Sequence, residues 1–310
     1  MQKRRINDLS SREYEHPFDK STLEKLESIP GLPIIIQKLY EKSFERIFRL
    51  QNTGSYLKIS KSNLSKVYGL YSEACAILDI VNIPDLFINF DPRVNGYTSG
   101  VEKPFIVITS GSIDLLTDDE LLFLIGHELG HIKAKHVLYS VMAQNFSIVA
   151  NLLGNLTLGI GGIAATGVEL ALLHWYRMSE LSCDRAGLLT CQKKDAAINF
   201  FIKLNLPASY NHEAFQESFL SQAKDFEALD FDSLNKFFKI ASTLDMTHPW
   251  SVMRASELIN WLESGSYDEI LNKQRNFQEK IDRLNFCPNC GKNLNDNDKF
   301  CGGCGASINY

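Results

Sequence analysis

The chain has no surplus of positive charge. Its 32 lysines and arginines stand against 37 aspartates and glutamates, a net charge of -5, which removes the electrostatic footing for nucleic-acid binding. It also lacks an apolar leader: Met1-Gln2-Lys3-Arg4-Arg5 is followed by polar residues through Lys20, without the apolar stretch a signal peptide needs. A cytoplasmic address is therefore expected. Repeats and low-complexity tracts are missing too. With 310 residues, 45% of them hydrophobic, the chain can bury one good core and carry a small appendage.

Charge is scarcest from Val137 to Leu173, where Glu169 is the one ionisable acid or base of fixed charge. A bilayer-spanning hairpin needs about 40 apolar residues plus a turn. This run holds 37, interrupted by Asn145, Asn151, Asn155 and five glycines. The expected arrangement is two helices folded back on the protein around Gly159 to Gly162, with peripheral membrane contact through residues 146–173 as the alternative.

Free thiols are few once the C-terminus is set aside. Four of the seven cysteines form two CxxC pairs, Cys287 with Cys290 and Cys301 with Cys304, each followed by a glycine. That spacing fits a compact zinc ribbon in which four thiolates close a tetrahedral structural site. A tail this small folds only with its metal. Cys75, Cys183 and Cys191 read as buried structural thiols, and the usage as a whole favours a reducing compartment.

The most informative segment is His127-Glu128-Leu129-Gly130-His131. Residues i and i+4 share one helix face, so both imidazoles can reach one zinc at roughly 2.0 to 2.1 Å, with Glu128 beside the open position. The helix this needs is signalled by a capping box at Thr117 to Glu120, followed by Leu121, Leu122, Leu124, Ile125 and Leu129 at helical spacing. A catalytic zinc takes a third protein ligand. Glu180 and Asp184, again i and i+4, offer one carboxylate for the metal and one for the ring N–H of a ligand histidine; an exposed acidic pair is the bland alternative. His136 and His174 read as structural.

With these motifs the chain resembles the HtpX-like and CAAX-prenyl-protease-like zinc metallopeptidases, which pair a HExxH helix with a later ExxxD helix. The likeness spans roughly residues 30 to 262. Asn95-Gly96-Tyr97 is similar to the family's Asn-Ala-Phe segment, Ile106 to Leu116 to its strand and Ser-Gly turn, and His248-Pro249 with Arg254 to its His-Pro motif and arginine; Trp250 stands where the family has a second proline. The resemblance implies one catalytic zinc on His127, His131 and Glu180, with Asp184 orienting a ligand histidine. It implies Glu128 as general base toward a water whose pKa the metal lowers. It further implies His248 as a donor to the tetrahedral oxyanion, Arg254 as its support, and Asn95, Gly96, Tyr97, Thr98 and Ser99 as a strand that holds substrate. A helix-start histidine without a catalytic part is the plain alternative for His248.

The expected fold is α+β and mostly helical: a zincin-like metalloprotease domain with a small sheet beside the HExxH helix, plus the ribbon. Ile34 to Leu50 and Leu64 to Asp79 read as helices, and Tyr56 to Ile59, Leu86 to Phe90, Gly96 to Ser99 and Phe105 to Thr109 as strands. Asp195 to Leu262 is helical with breaks at Pro207 and Pro249. The boundaries expected are a polar, loosely packed extension over 1–30, the metallopeptidase domain over 31–264, a charged helical linker over 265–285 and the ribbon over 286–310. The function this implies is hydrolysis of protein or peptide substrates, with no nucleic-acid partner and with two zinc ions, one catalytic and one structural. The competing class is a non-catalytic zinc-dependent binding module that recruits partners through the ribbon. An intact Glu128 argues against it, since a scaffold needs no base.

Overall fold

The computed structural model describes residues 3–29, 34, 50, 53–144, 162–206, 210–228 and 249–273. His248, the ribbon cysteines, nearly all of the helix expected over 34–50 and the turn of the apolar hairpin lie outside the described residues. The chain divides into two units, Met1–Glu263 and Ser264–Tyr310. In the second, residues 266–273 are helical, inside the charged helix expected there.

The first unit is helical around one four-stranded sheet. In chain order its elements are α1 (Pro17–Glu27), β1 (Leu57–Lys58), α2 (Ser65–Ile77), β2 (Asp85–Asn89), β3 (Gly96–Ser99), β4 (Phe105–Thr109), α3 (Ser110–Leu115), α4 (Asp118–Lys133), α5 (Val137–Gln144), α6 (Gly162–Cys191), α7 (Lys194–Lys203), α8 (Gln216–Ala228) and α9 (Ser251–Glu263). The sheet order is β1-β2-β4-β3, with β2 and β4 parallel and both outer pairs antiparallel. β4 is buried at every position, as suits a central strand that reads Phe-Ile-Val-Ile-Thr without alternation. β3 is the last strand in that order, with its Gly96 end beside α4.

α4 begins as its sequence dictates. Thr117 accepts from the Glu120 N–H, and the Glu120 carboxylate accepts from the Thr117 N–H, which satisfies two of the donors a helix start leaves open. Its next nine residues, Leu121 to Leu129, are all buried, because α4 runs between the sheet and α6. Close contact with α6 depends on glycine. A Cβ on Gly126 would lie 2.2 Å from Thr190 Oγ1, one on Gly130 2.8 Å from the Ala186 Cβ, and one on Gly187 2.8 Å from the Phe123 carbonyl oxygen. The three missing side chains let the two backbones approach, so that Glu180 and Asp184 meet the two histidines.

The N-terminal segment differs from its expectation. Ile6, Leu9, Tyr14, Asp19 and Leu26 are buried, and α1 packs on α6, so residues 3–29 belong to the first unit rather than to a loose extension. The reason is long-range: Asp19 accepts hydrogen bonds from Trp175 Nε1 at 3.0 Å and Ser182 Oγ at 2.6 Å, and lies 3.2 Å from His136 Nε2. Burial alone raises a carboxyl pKa, but His136, Ser182 and Trp175 outweigh it and hold Asp19 below its ordinary value. Leu26 joins Val137, Met142, Leu172 and Trp175 in an apolar cluster shared by α1, α5 and α6. α6 itself runs unbroken for 30 residues, joining the second arm of the apolar run to the Glu180 turn. Among the described residues no helix is long and apolar enough to cross a membrane.

Candidate active site

Four elements deliver the predicted side chains to one cleft. α4 brings His127, Glu128 and His131, α6 brings Glu180 and Asp184, α9 brings Arg254, and β3 brings Gly96 and Thr98. All six of the helix-borne residues are buried. Gly96, His127, Glu128, Glu180 and Arg254 border a cleft of about 440 Å³ lined also by Asn95, Leu124 and Trp250.

The Glu180 carboxylate faces both imidazoles. Its Oε2 lies 3.4 Å from His127 Nε2 and its Oε1 3.3 Å from His131 Nε2. Two ligands bound at about 2.0 to 2.1 Å and a tetrahedral angle stand about 3.3 Å apart, so these separations match the edges of a zinc shell. The ligand atoms of the three side chains all lie within 4.8 Å of one another. Donor types, burial and spacing together fit zinc with three protein ligands.

Asp184 and Arg254 form a support behind His127. Asp184 Oδ1 is 3.0 Å from His127 Nδ1, which turns the opposite nitrogen toward Glu180 and fixes the ring. Arg254 donates to both carboxylate oxygens, Nε to Oδ2 at 2.8 Å and Nη2 to Oδ1 at 2.6 Å, and its Nη1 is 3.7 Å from Glu180 Oε2. Burial opposes the charge on Asp184, yet Arg254 and His127 prevail and keep its pKa low. Burial likewise pulls His127 down, but Asp184 and Glu180 raise it to about 9. His131 has no such support: burial, only partly offset by Glu180, lowers it to about 4, and its Nδ1 has no hydrogen-bond partner among the described residues.

The Asp184–Arg254 pair yields a direct test of fold support. Arg254→Ala leaves a carboxylate buried without its bidentate partner and should cost about 3 to 5 kcal/mol of unfolding free energy. Urea unfolding of the two proteins measures it, and an unchanged midpoint would mean that the pair carries no such weight.

Glu128 faces the sheet. Thr98 Oγ1 donates to its Oε2 at 2.7 Å, with the Glu128 carbonyl oxygen 3.1 Å from the same hydroxyl. Burial pushes the Glu128 carboxyl up to about 7, against the opposing pull of His127, Thr98 and Arg254. A Cβ on Gly96 would stand 3.2 Å from Leu124 and 3.4 Å from Glu128, so glycine at this position lets β3 pass against the helix. Asn95 is held at the strand's start, its N–H 2.9 Å from Ser112 Oγ and 3.1 Å from Thr109 Oγ1. Tyr97 packs with the Phe87, Phe105 and Val107 cluster, and Ser99 is buried where β3 pairs with Phe105.

Sequence reasoning placed Thr98 only on the substrate strand and did not foresee its hydrogen bond to Glu128. The strand and the helix start at positions 96 and 118, and no local pattern links them. It also left unrecognised a second convergence of donors, His131, His136 and Cys183. There His136 is engaged at both nitrogens, by Asp19 and by Cys183 Sγ at 3.6 Å.

Comparison with known proteins bears on the same region. The model of peptidase family M48 matches residues 81–262, and that of a zinc-ribbon domain matches residues 286–308. Over 272 residues the chain is 35% identical to the plastoglobule-localized metallopeptidase 48, chloroplastic, of Arabidopsis thaliana, covering 86% of this chain and 77% of that protein. It is 26% identical over 145 residues to protease HtpX homolog 2 of Methanosarcina acetivorans, 44% of this chain and 49% of the relative. It is 31% identical over 81 residues to a protease HtpX homolog of Sulfurovum sp., 26% and 29% of the two chains. No solved structure matches. A family model running from β2 to α9, joined to a metallopeptidase aligned over most of both chains, means that this chain belongs to peptidase family M48 and is a zinc-dependent metalloprotease.

Proposed function

We propose that the chain is an endopeptidase that hydrolyses peptide bonds in protein or peptide substrates with His127, His131 and Glu180 holding one zinc and Glu128 serving as general base. The observation that carries this reading is the Glu180 carboxylate standing 3.4 and 3.3 Å from the two imidazole nitrogens. Zinc in such a site polarises a carbonyl oxygen and lowers the pKa of water. The protein supplies the proton transfers. Glu128 accepts a proton from the attacking water as oxygen bonds to the carbonyl carbon. It then returns that proton to the amide nitrogen as the C–N bond breaks. A carboxyl near neutrality is suited to both steps, and Thr98 keeps its Oε2 aimed along the strand side.

Asp184 acts through His127, and Arg254 through Asp184, so both are positioning residues. Residues 95–99 hold the substrate in extended form by main-chain pairing on the β3 edge. His248 donates to the developing oxyanion. The four cysteines Cys287, Cys290, Cys301 and Cys304 bind a second, structural zinc, so the full chain carries two. A chain ending near Ser264 should keep one zinc, cleave an unstructured model peptide, and lose that activity to a chelator. If it folds, retains its zinc and yet cleaves nothing, ribbon and catalytic unit are not separate modules.

Cytoplasmic action, with the 146–173 run packed on the protein or touching a membrane surface, completes the reading. The Arabidopsis relative carries a plastoglobule in its name, which makes surface association the point to test. Most of the chain should stay in the supernatant after ultracentrifugation without detergent. Recovery in detergent extracts alone would overturn this.

A further inference from the structure

Beside the catalytic cleft lies a second cavity of about 490 Å³ that no step of the proposed chemistry uses. Three helix segments wall it. α8 turns Phe219, Gln222 and Phe226 toward it, with Phe215 just before its start, the C-terminal end of α7 gives Ile202 with Asn205 and Leu206 just beyond, and the start of α9 gives Ser251 and Val252, with Trp250 just before it. Phe219, Gln222 and Phe226 follow the i, i+3, i+7 rhythm of one helix face. Such a stripe ordinarily closes on a core, but among the described residues it borders a cavity. Phe215 keeps 41% of its surface exposed while Phe219 is buried. Phe226 meets Trp250 edge to face with ring centroids 5.6 Å apart.

Two properties say what this cavity takes. Among the described residues it has no charged lining residue: Asn205, Ser218, Gln222 and Ser251 are its polar members, and the rest are aliphatic or aromatic. It also adjoins the cleft, because Asn205, Trp250 and Ser251 line both. A peptide lying against Glu128 and Glu180 therefore has an apolar recess within reach of its flanking side chains. Its volume falls in the range of pockets that enclose a ligand group, and removing one large apolar side chain from water there favours binding.

We infer that this cavity is a side-chain subsite that makes the enzyme select substrates with an aromatic or long aliphatic residue near the scissile bond. The inference rests on the peptidase reading and specifies its substrate class. Trp250 and Asn205 form the sill between reaction cleft and subsite. Ser218, exposed on α8 with its hydroxyl 3.0 Å from the Phe215 carbonyl oxygen, is a rim position at which a larger side chain reaches the recess without displacing core.

The test uses the full chain and a set of quenched peptides that differ at a single position, each of the three on either side of the bond carrying Phe, Leu, Ala or Asp in turn. At one position Phe and Leu should exceed Ala in kcat/KM by about tenfold or more, and Asp should be poorest. Ser218→Trp should bring the Phe to Ala ratio at that position close to one. Ser218→Arg should raise the Asp peptide above the Ala peptide there, a gain that misfolding cannot imitate. Binding of the same peptides to the Glu128→Gln protein gives a second reading: Phe over Ala in affinity without any cleavage by wild type supports the subsite and sinks the peptidase mechanism. Cleavage with no apolar preference at any position, or a preference that neither Ser218 variant moves, overturns the subsite and leaves the peptidase reading standing.

Discussion

Glu128→Gln should lower kcat on a model peptide by about 10² to 10⁴ while the protein keeps its active-site zinc. Glutamine preserves the shape of the side chain and can still meet Thr98, which lies 2.7 Å from Oε2 in the native protein. It cannot take a proton from water. The substitution therefore separates chemistry from folding and from metal retention, since the three proposed ligands are left in place. Turnover at the wild-type rate in purified, zinc-loaded mutant would remove Glu128 from the mechanism.

Glu180→Ala should release the active-site metal altogether and take the peptidase activity with it. The two imidazoles alone leave zinc one protein ligand short of a catalytic site, and the carboxylate that faces both nitrogens is gone. Arg254 retains its two hydrogen bonds to Asp184, so the support behind His127 survives and the loss can be assigned to the ligand. Glu169→Ala, eleven residues earlier on the same helix, is the control. Metal analysis on a chain ending near Ser264 decides the matter without interference from the ribbon. Equal zinc in the two variants would mean that Glu180 is not the third ligand.

Local signals in the sequence carried the catalytic helix and much of the sheet. The capping box at Thr117, the apolar run behind it and the i, i+4 histidines all lie within one segment, so pattern alone defines α4 and the face that carries both imidazoles. The strands appear within about one residue of expectation, β2 at Asp85–Asn89 against Leu86 to Phe90 for instance. Glu180 and Asp184 were legible as a pair, and the family resemblance divided their roles; what three dimensions add is which atoms meet, Asp184 at His127 Nδ1 and Glu180 before both Nε2 atoms. Gly126, Gly130 and Gly187 were visible as letters, but that they permit a close helix crossing is a property of two helices together.

What stayed hidden was long-range. Nothing near Asp19 announces burial, because its partners Trp175, Ser182 and His136 come from residues more than a hundred positions away. A polar N-terminal segment reads as solvated until those partners are known. The same limit concealed Thr98 as the partner of Glu128, and the recess behind Trp250, whose walls come from three separate helices.

The most direct measurement is the position of zinc itself, from anomalous scattering at the zinc edge in crystals of the full chain. The account predicts a peak bounded by His127 Nε2, His131 Nε2 and the Glu180 carboxylate, each about 2.0 to 2.2 Å away. A peak among His131, His136 and Cys183 instead, with none between the two α4 histidines and Glu180, would contradict it.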